Sequence, residues 1–121
     1  PNDDPRLMDS TDALELEEIP DRMLVVGGGI IGLELASVFS ALGTKITVVE
    51  LLDQLMTGAD PDLVKPFQKI IEARYENIFT GTKVAAIEAK ADGLHVSLEG
   101  KDAPATDVFD RVLVAGASLP S

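Results

Sequence analysis

The sequence predicts an α/β fold, a doubly wound parallel sheet in which a β-meander replaces one crossover helix. Three observations carry this. Short continuous apolar runs, Met23-Leu24-Val25-Val26, Lys45 to Val49 and Val112-Leu113-Val114-Ala115, read as strands covered on both faces, as in a parallel sheet. Between the first two lies a helical stretch that opens on Gly27-Gly28-Gly29 and closes on Gly43. Beyond residue 83 the period changes to two, and Asp92-Gly93 marks a hairpin between two arms.

Taken in order, residues 1–20 read as a connector. Asp9-Ser10-Thr11-Asp12 offers capping side chains, and Ala13 to Glu18 suits a short helix that Pro20 ends. The run from Met23 is the first strand. A helix from Ile30 to Leu42 follows, with Ile31, Leu35, Val38, Phe39 and Leu42 as its expected core stripe. Lys45 to Val49 is the second strand, and Glu50 stands at its carboxyl end. Asp60-Pro61-Asp62 opens a second helix whose apolar residues are Leu63, Val64, Phe67, Ile70 and Ile71. Pro66 is expected to bend its start or delay it. Asn77 to Thr80 is a third strand. Val84 to Lys90 and Leu94 to Leu98 are the hairpin arms, and residues 100–107 read as a polar loop before the last strand. The domain is therefore expected over residues 21–121.

Composition narrows the function. A chain of 121 residues with a 45% hydrophobic share suits one compact domain. Its net charge of −11 disfavours nucleic acid and anionic membrane surfaces, so phosphate recognition must come from backbone amides. With no cysteine and a single histidine, the chain has no disulfide, no thiol chemistry and no multi-histidine metal cluster. No signal peptide is visible at the polar, acidic start, which points to a cytoplasmic setting. The stretch from Met23 to Gly43 has the length of a membrane span and contains Gly28-x-x-x-Gly32, but the consecutive glycines within it fit a strand followed by a buried helix.

The glycine turn carries the chemistry. A lone G-x-G-x-x-G is weak, but Gly27-Gly28-Gly29-Ile30-Ile31-Gly32 follows a strand, opens a helix and is followed by an acidic strand end. Such a Rossmann-like turn binds a dinucleotide. Gly27 permits the tight turn, Gly29 lets a pyrophosphate approach the backbone, and Gly32 lets the helix pack closely on the strands. Amides at the helix start, with the helix dipole, face the phosphates. Glu50 can accept hydrogen bonds from both ribose hydroxyls and repels a 2′-phosphate. No cation stands between it and Lys65, so NAD is expected over NADP. FAD carries the same ribose, and Glu50 separates it from NAD less well. Glu34 is either a carboxylate placed favourably near a helix N-terminus or a group near the nicotinamide end of the cofactor. His95 reads as a solvent-facing strand residue with no acidic group spaced to work with it. Asp60 and Asp62 read as caps rather than metal ligands.

The runs DSTDAL, GGGIIGLE followed by TVVE, DQLMTGAD and NIFTGTKVAAIEAKADGLHVSLEG resemble the NAD-binding domain of the dihydrolipoamide dehydrogenases, a family of flavoprotein disulfide reductases, in their bacterial 2-oxo acid dehydrogenase type. The resemblance covers nearly the whole chain. It implies a parent enzyme that passes electrons from a dihydrolipoyl group through a disulfide and FAD to NAD. By position, residues 27–32 with Leu33 would hold the pyrophosphate and Glu34 would lie near the nicotinamide. Glu50 would bind the adenosine ribose, Val84 would border the adenine, and Gly116 would line the cofactor at the last strand. It also implies an FAD domain and a dimerisation domain outside this chain, a homodimeric parent and a lipoyl-bearing acyltransferase as partner. Residues 1–20 then resemble the exit from the FAD domain, and the chain alone is expected to be inactive. The family's glycine and arginine after the last strand have no full counterpart, since Ala115 to Ser121 lacks the arginine.

Two further readings stand beside this one. A free-standing nucleotide sensor would share the glycine turn and the acidic residue, though not the DSTDAL lead-in or the meander. A reductase of the same architecture acting on glutathione or mercury would generally favour NADP and lack a glutamate at position 50.

Overall fold

The computed structural model describes residues 4–27, 29–53, 55 and 61–115. Its elements are β1 (Leu7–Met8), α1 (Ser10–Leu14), β2 (Arg22–Val26), α2 (Ile30–Ala41), β3 (Lys45–Val49), α3 (Pro61–Arg74), β4 (Asn77–Phe79), β5 (Lys83–Lys90), β6 (Gly93–Glu99), β7 (Thr106–Phe109) and β8 (Arg111–Val114). A five-stranded sheet has the order β1-β8-β2-β3-β4, and every pairing in it is parallel. The second sheet, β5-β6-β7, is antiparallel.

Strand alternation divides the core. Met23, Val25, Ile46, Val48 and Leu113 point to one face and pack with Ala13 of α1, Leu33, Ala36 and Phe39 of α2 and Ile71 of α3. Leu24, Val26, Val49 and Val112 point to the other and pack with Val84, Leu94, Val96, Leu98 and Phe109 of the antiparallel sheet. The meander thus takes the layer that a crossover helix would occupy, as the sequence predicts. The apparent membrane span resolves into β2 and α2, and among the described residues no helix is long and apolar enough to cross a membrane.

Several local expectations need correction. The short helix starts at Ser10, not Ala13, because Asp9 caps it. Asp9 accepts from the Asp12 amide at 2.7 Å while Asp12 accepts from the Asp9 amide at 3.1 Å, a reciprocal capping box. Leu7 and Met8 before it join the sheet edge beside Val112 and Leu113. Thr106 and Asp107, read as loop, begin β7. α3 runs through Pro66 without a break. The Asp60 cap lies outside the described residues.

The phase of α2 also differs. Ile31, Val38 and Leu42 are exposed, and the buried face is Gly32, Leu33, Ala36 and Phe39. The helix is apolar almost all round, so periodicity cannot choose a face; the small residues Gly32 and Ala36 set it by allowing close approach to the sheet. Leu33→Ala is accordingly expected to cost about 2–5 kcal/mol, and Val38→Ala no more than about 0.5 kcal/mol. Urea unfolding of the two variants checks this, and the opposite ranking would restore the phase read from periodicity.

Arg22 fastens the layers together at the amino end of the sheet. Its guanidinium donates to Asp107 at 2.7 and 3.0 Å, to the Val108 carbonyl at 2.8 Å and to Glu76 at 2.8 Å, and lies 4.8 Å from the centre of the Phe109 ring. Hydrogen bonding from Arg22 holds the Asp107 carboxyl below its usual range and raises the guanidinium's own pKa.

A candidate dinucleotide site at the carboxyl edge of the sheet

The parallel strands end in register, and their ends are stitched together one residue further on. The Gly27 amide donates to the Val49 carbonyl at 2.8 Å, Ala115 to Val26 at 3.0 Å, and Glu50 to Phe79 at 2.9 Å. The turn after β4 continues the seam, with Thr82 donating to the Glu50 carbonyl at 3.0 Å and Gly81 to the Leu52 carbonyl at 2.9 Å. One edge therefore gathers the glycine turn, the segment from Glu50 to Asp53, the turn from Thr80 to Thr82, and Ala115. Open parallel sheets bind ligands at this edge.

Each described glycine of the turn meets a different demand. Gly27 has φ +103°, which an L side chain rarely adopts, so the chain can reverse directly out of β2. Gly32 is buried in the first turn of α2, and a Cβ there would collide with the Ala115 Cβ. Gly29 has ordinary backbone angles, φ −73° and ψ 156°, and among the described residues a Cβ on it would meet only the Ala115 carbonyl at 3.9 Å. Neither strain nor packing against the described residues asks for glycine there, which leaves room for close approach from outside. Gly29 is also the N-cap of α2 and has no side chain to cap with; the first helical bond runs from the Leu33 amide to the Gly29 carbonyl at 3.1 Å. The amides of Ile30, Ile31 and Gly32 precede that bond, at the positive end of the helix dipole. An unhindered Gly29 and three amides at the positive end of a helix are features that a pyrophosphate would need.

The other predicted residues fall around it. Ile30 and Ile31 are exposed on the first turn, and Glu34 is exposed one turn in. Leu33 differs from its neighbours: its side chain is fully buried beneath the turn. Glu50 is half-buried, and its carboxylate accepts the Leu52 amide at 2.9 Å, which fixes its position at the strand end. Val84 lies two residues past Thr82, buried with Val49 in the core between the sheets. Gly28 and Gly116 lie outside the described residues. His95 is on the outer face of the antiparallel sheet. It has an acidic partner after all, since Nε2 lies 2.9 Å from Asp92 Oδ1 across the hairpin turn, a contact that holds the Asp92 carboxyl below its usual range. No group of acidic, histidine or cysteine residues suited to a metal occurs among the described residues.

Three features of the edge were not read from sequence: Ala115 as the surface against Gly32, the turn from Thr80 to Thr82 as the neighbour of Glu50, and Tyr75, whose hydroxyl donates to the Leu33 carbonyl at 2.6 Å beneath the glycine turn. The first two follow from strand order, which periodicity does not supply. The third had one signal, a lone tyrosine in an otherwise apolar helical pattern.

Comparison with known proteins agrees with this geometry. The chain is 54% identical over 122 residues to the dihydrolipoyl dehydrogenase of Vibrio cholerae, a match covering 100% of this chain and 26% of that protein. It is 48% identical over 121 residues to the dihydrolipoyl dehydrogenase of Haemophilus influenzae, covering 25% of it. It thus spans about a quarter of the length of the curated relatives it matches. Among solved structures, the HOCl-induced flavoprotein disulfide reductase RclA from Escherichia coli superposes with a TM-score of 0.79 at 28% identity, over 99% of this chain and 27% of that one. The family model of the pyridine nucleotide-disulphide oxidoreductases matches residues 2–117, and the chain belongs to that family.

Proposed function

We propose that this chain is the NAD(H)-binding part of a dihydrolipoyl dehydrogenase. The observation that carries the reading is the carboxyl edge itself: an uncapped helix start behind Gly29, with the fixed carboxylate of Glu50 at the end of the adjacent strand. Gly27, Gly28, Gly29, Ile30, Ile31 and Gly32 surround the pyrophosphate, with Leu33 supporting the turn from below. Glu34 lies toward the nicotinamide, Glu50 holds the adenosine ribose, Val84 lies toward the adenine, and Gly116 borders the cofactor at the end of the last strand. When bound, NAD supplies a hydride acceptor. The chain's own part is to orient it with backbone amides and to select it against NADP through the charge of Glu50.

In the parent, dihydrolipoyl groups are oxidised through a disulfide and FAD, both on parts outside this chain. Residues 1–20 then lead in from the FAD domain, and residues 21–121 form the NAD domain. The exposed stripe of Ile31, Val38 and Leu42 supports the reading of a part that packs within something larger. A dimerisation domain, a homodimeric and cytoplasmic parent, and a lipoyl-bearing acyltransferase of a 2-oxo acid dehydrogenase complex complete the proposal. The likeness to relatives named dihydrolipoyl dehydrogenase supports it.

Calorimetry on the chain tests the cofactor choice. NADH is expected to bind at least about tenfold more tightly than NADPH. Equal or tighter binding of NADPH would sink the reading. Without a cysteine the chain is expected to show no lipoamide turnover.

A further inference from the structure

Tyr75 sits one residue beyond α3, and its environment leaves it little freedom. Its amide donates to the Ile71 carbonyl at 2.8 Å, and the next amide, that of Glu76, donates to the Ile46 carbonyl of β3 at 2.8 Å. The ring is buried in the core below α2, and burial pushes the phenol's pKa well up, so the hydroxyl keeps its proton. That proton is directed to the carbonyl of Leu33.

Leu33 is therefore held three ways. Its amide makes the first helical bond, to Gly29; its side chain is fully buried in the core; its carbonyl receives Tyr75. The amides before it are those offered to the phosphates, and the peptide whose carbonyl is held is the one that carries Glu34. A carbonyl inside a helix already has its partner four residues on, so helix formation does not require the tyrosine bond. Its consequence is positional: it ties the first turn of α2 to a fixed point on α3 and β3.

We propose that Tyr75 is a positioning residue for the nucleotide site, holding the first turn of α2 through the Leu33 carbonyl so that the Ile30 to Gly32 amides and Glu34 are set before the dinucleotide arrives. A site whose donors are already in place spends less binding energy on ordering them. The inference rests on the proposed NAD(H) reading.

A matched pair of variants separates positioning from plain stability. Thr44 makes the same kind of bond elsewhere: its hydroxyl, buried like that of Tyr75, donates to the Pro20 carbonyl at 2.6 Å at the amino end of the sheet. Tyr75→Phe and Thr44→Val each remove one such bond, so both are expected to lower the melting temperature. Only Tyr75→Phe is expected to weaken NADH binding, by about three- to tenfold, the equivalent of one hydrogen bond.

A second measurement uses the fact that the chain has one tyrosine. Fluorotyrosine incorporated throughout gives a single fluorine resonance, expected to be one sharp line already in the free protein and to remain one line when NADH is added. If Tyr75→Phe binds NADH like Thr44→Val, or the free protein shows several or broadened fluorine lines that sharpen to one only when NADH is added, the positioning role is overturned. If the unaltered chain binds no NADH, it is the cofactor reading that fails.

Discussion

Gly32→Ala is expected to weaken nucleotide binding by about tenfold or more and to destabilise the fold by about 1–3 kcal/mol, the usual cost of forcing a methyl into a packed contact. Two terms oppose each other. Gly32 lies in the first turn of α2, where alanine would gain up to about 1 kcal/mol of helix propensity. Against this, the new Cβ would collide with the Ala115 Cβ, while its distance to Val25 Cγ1, 3.6 Å, is ordinary contact. Ala115 cannot readily retreat, because its amide is bonded to the Val26 carbonyl at 3.0 Å within the seam. The helix must therefore lift at its amino end, the end that carries the Ile30 to Gly32 amides. The collision is with one methyl group, so Ala115→Gly should relieve it. The double variant is expected to regain stability and NADH affinity together, leaving a favourable coupling in a double-mutant cycle. Urea unfolding and calorimetry on the four proteins measure it. A stabilised Gly32→Ala would mean that propensity outweighs the contact.

The contrast between Gly32 and Gly29 shows what the sequence could express. That glycines open a dinucleotide turn is local information, and so is the role of Gly27 in reversing the chain. The strands were legible for a related reason: runs such as Met23 to Val26 are apolar at every position because both faces are covered, and Asp92-Gly93 names its own turn, with Gly93 at φ +151°. The rest depends on residues far apart in the chain. Thr106 and Asp107 read as loop because they are polar, yet Asp107 is drawn into place by Arg22, 85 positions away. Of the expected α2 stripe, Phe39 and Leu35 do meet the core, while Ile31, Val38 and Leu42 are exposed, because apolar residues surround the helix and burial is decided by where Gly32 and Ala36 let it approach the sheet. The link from Tyr75 to Leu33 spans 42 positions and leaves no periodic trace. Of the edge, the turn and Glu50 were legible; the surfaces that support them were not.

Glu50→Ala is expected to reduce NADH affinity about 10- to 100-fold, the range for a hydrogen bond to a charged acceptor, and to remove most of the discrimination against NADPH. The argument rests on position and charge together. The carboxylate stands where β3 ends, held by the Leu52 amide, and the Glu50 backbone is bonded on both sides, to the Phe79 carbonyl and the Thr82 amide. The backbone that carries it will stay in place when the side chain is shortened, so the change in binding reports the carboxylate itself. Removing it deletes the acceptor for the ribose hydroxyls and the like-charge repulsion toward a 2′-phosphate in one step. Glu50→Gln separates the two. It retains an acceptor for the hydroxyls and loses the charge, so NADPH should gain while NADH falls less than in the alanine variant. Calorimetry with both nucleotides on both variants gives the four affinities. If NADH binds the alanine variant as tightly as the unaltered chain, the ribose lies elsewhere and Glu50 serves only the turn after β3. If NADPH fails to gain in the glutamine variant, its exclusion is steric, and the acidic end of β3 does not choose the cofactor by charge.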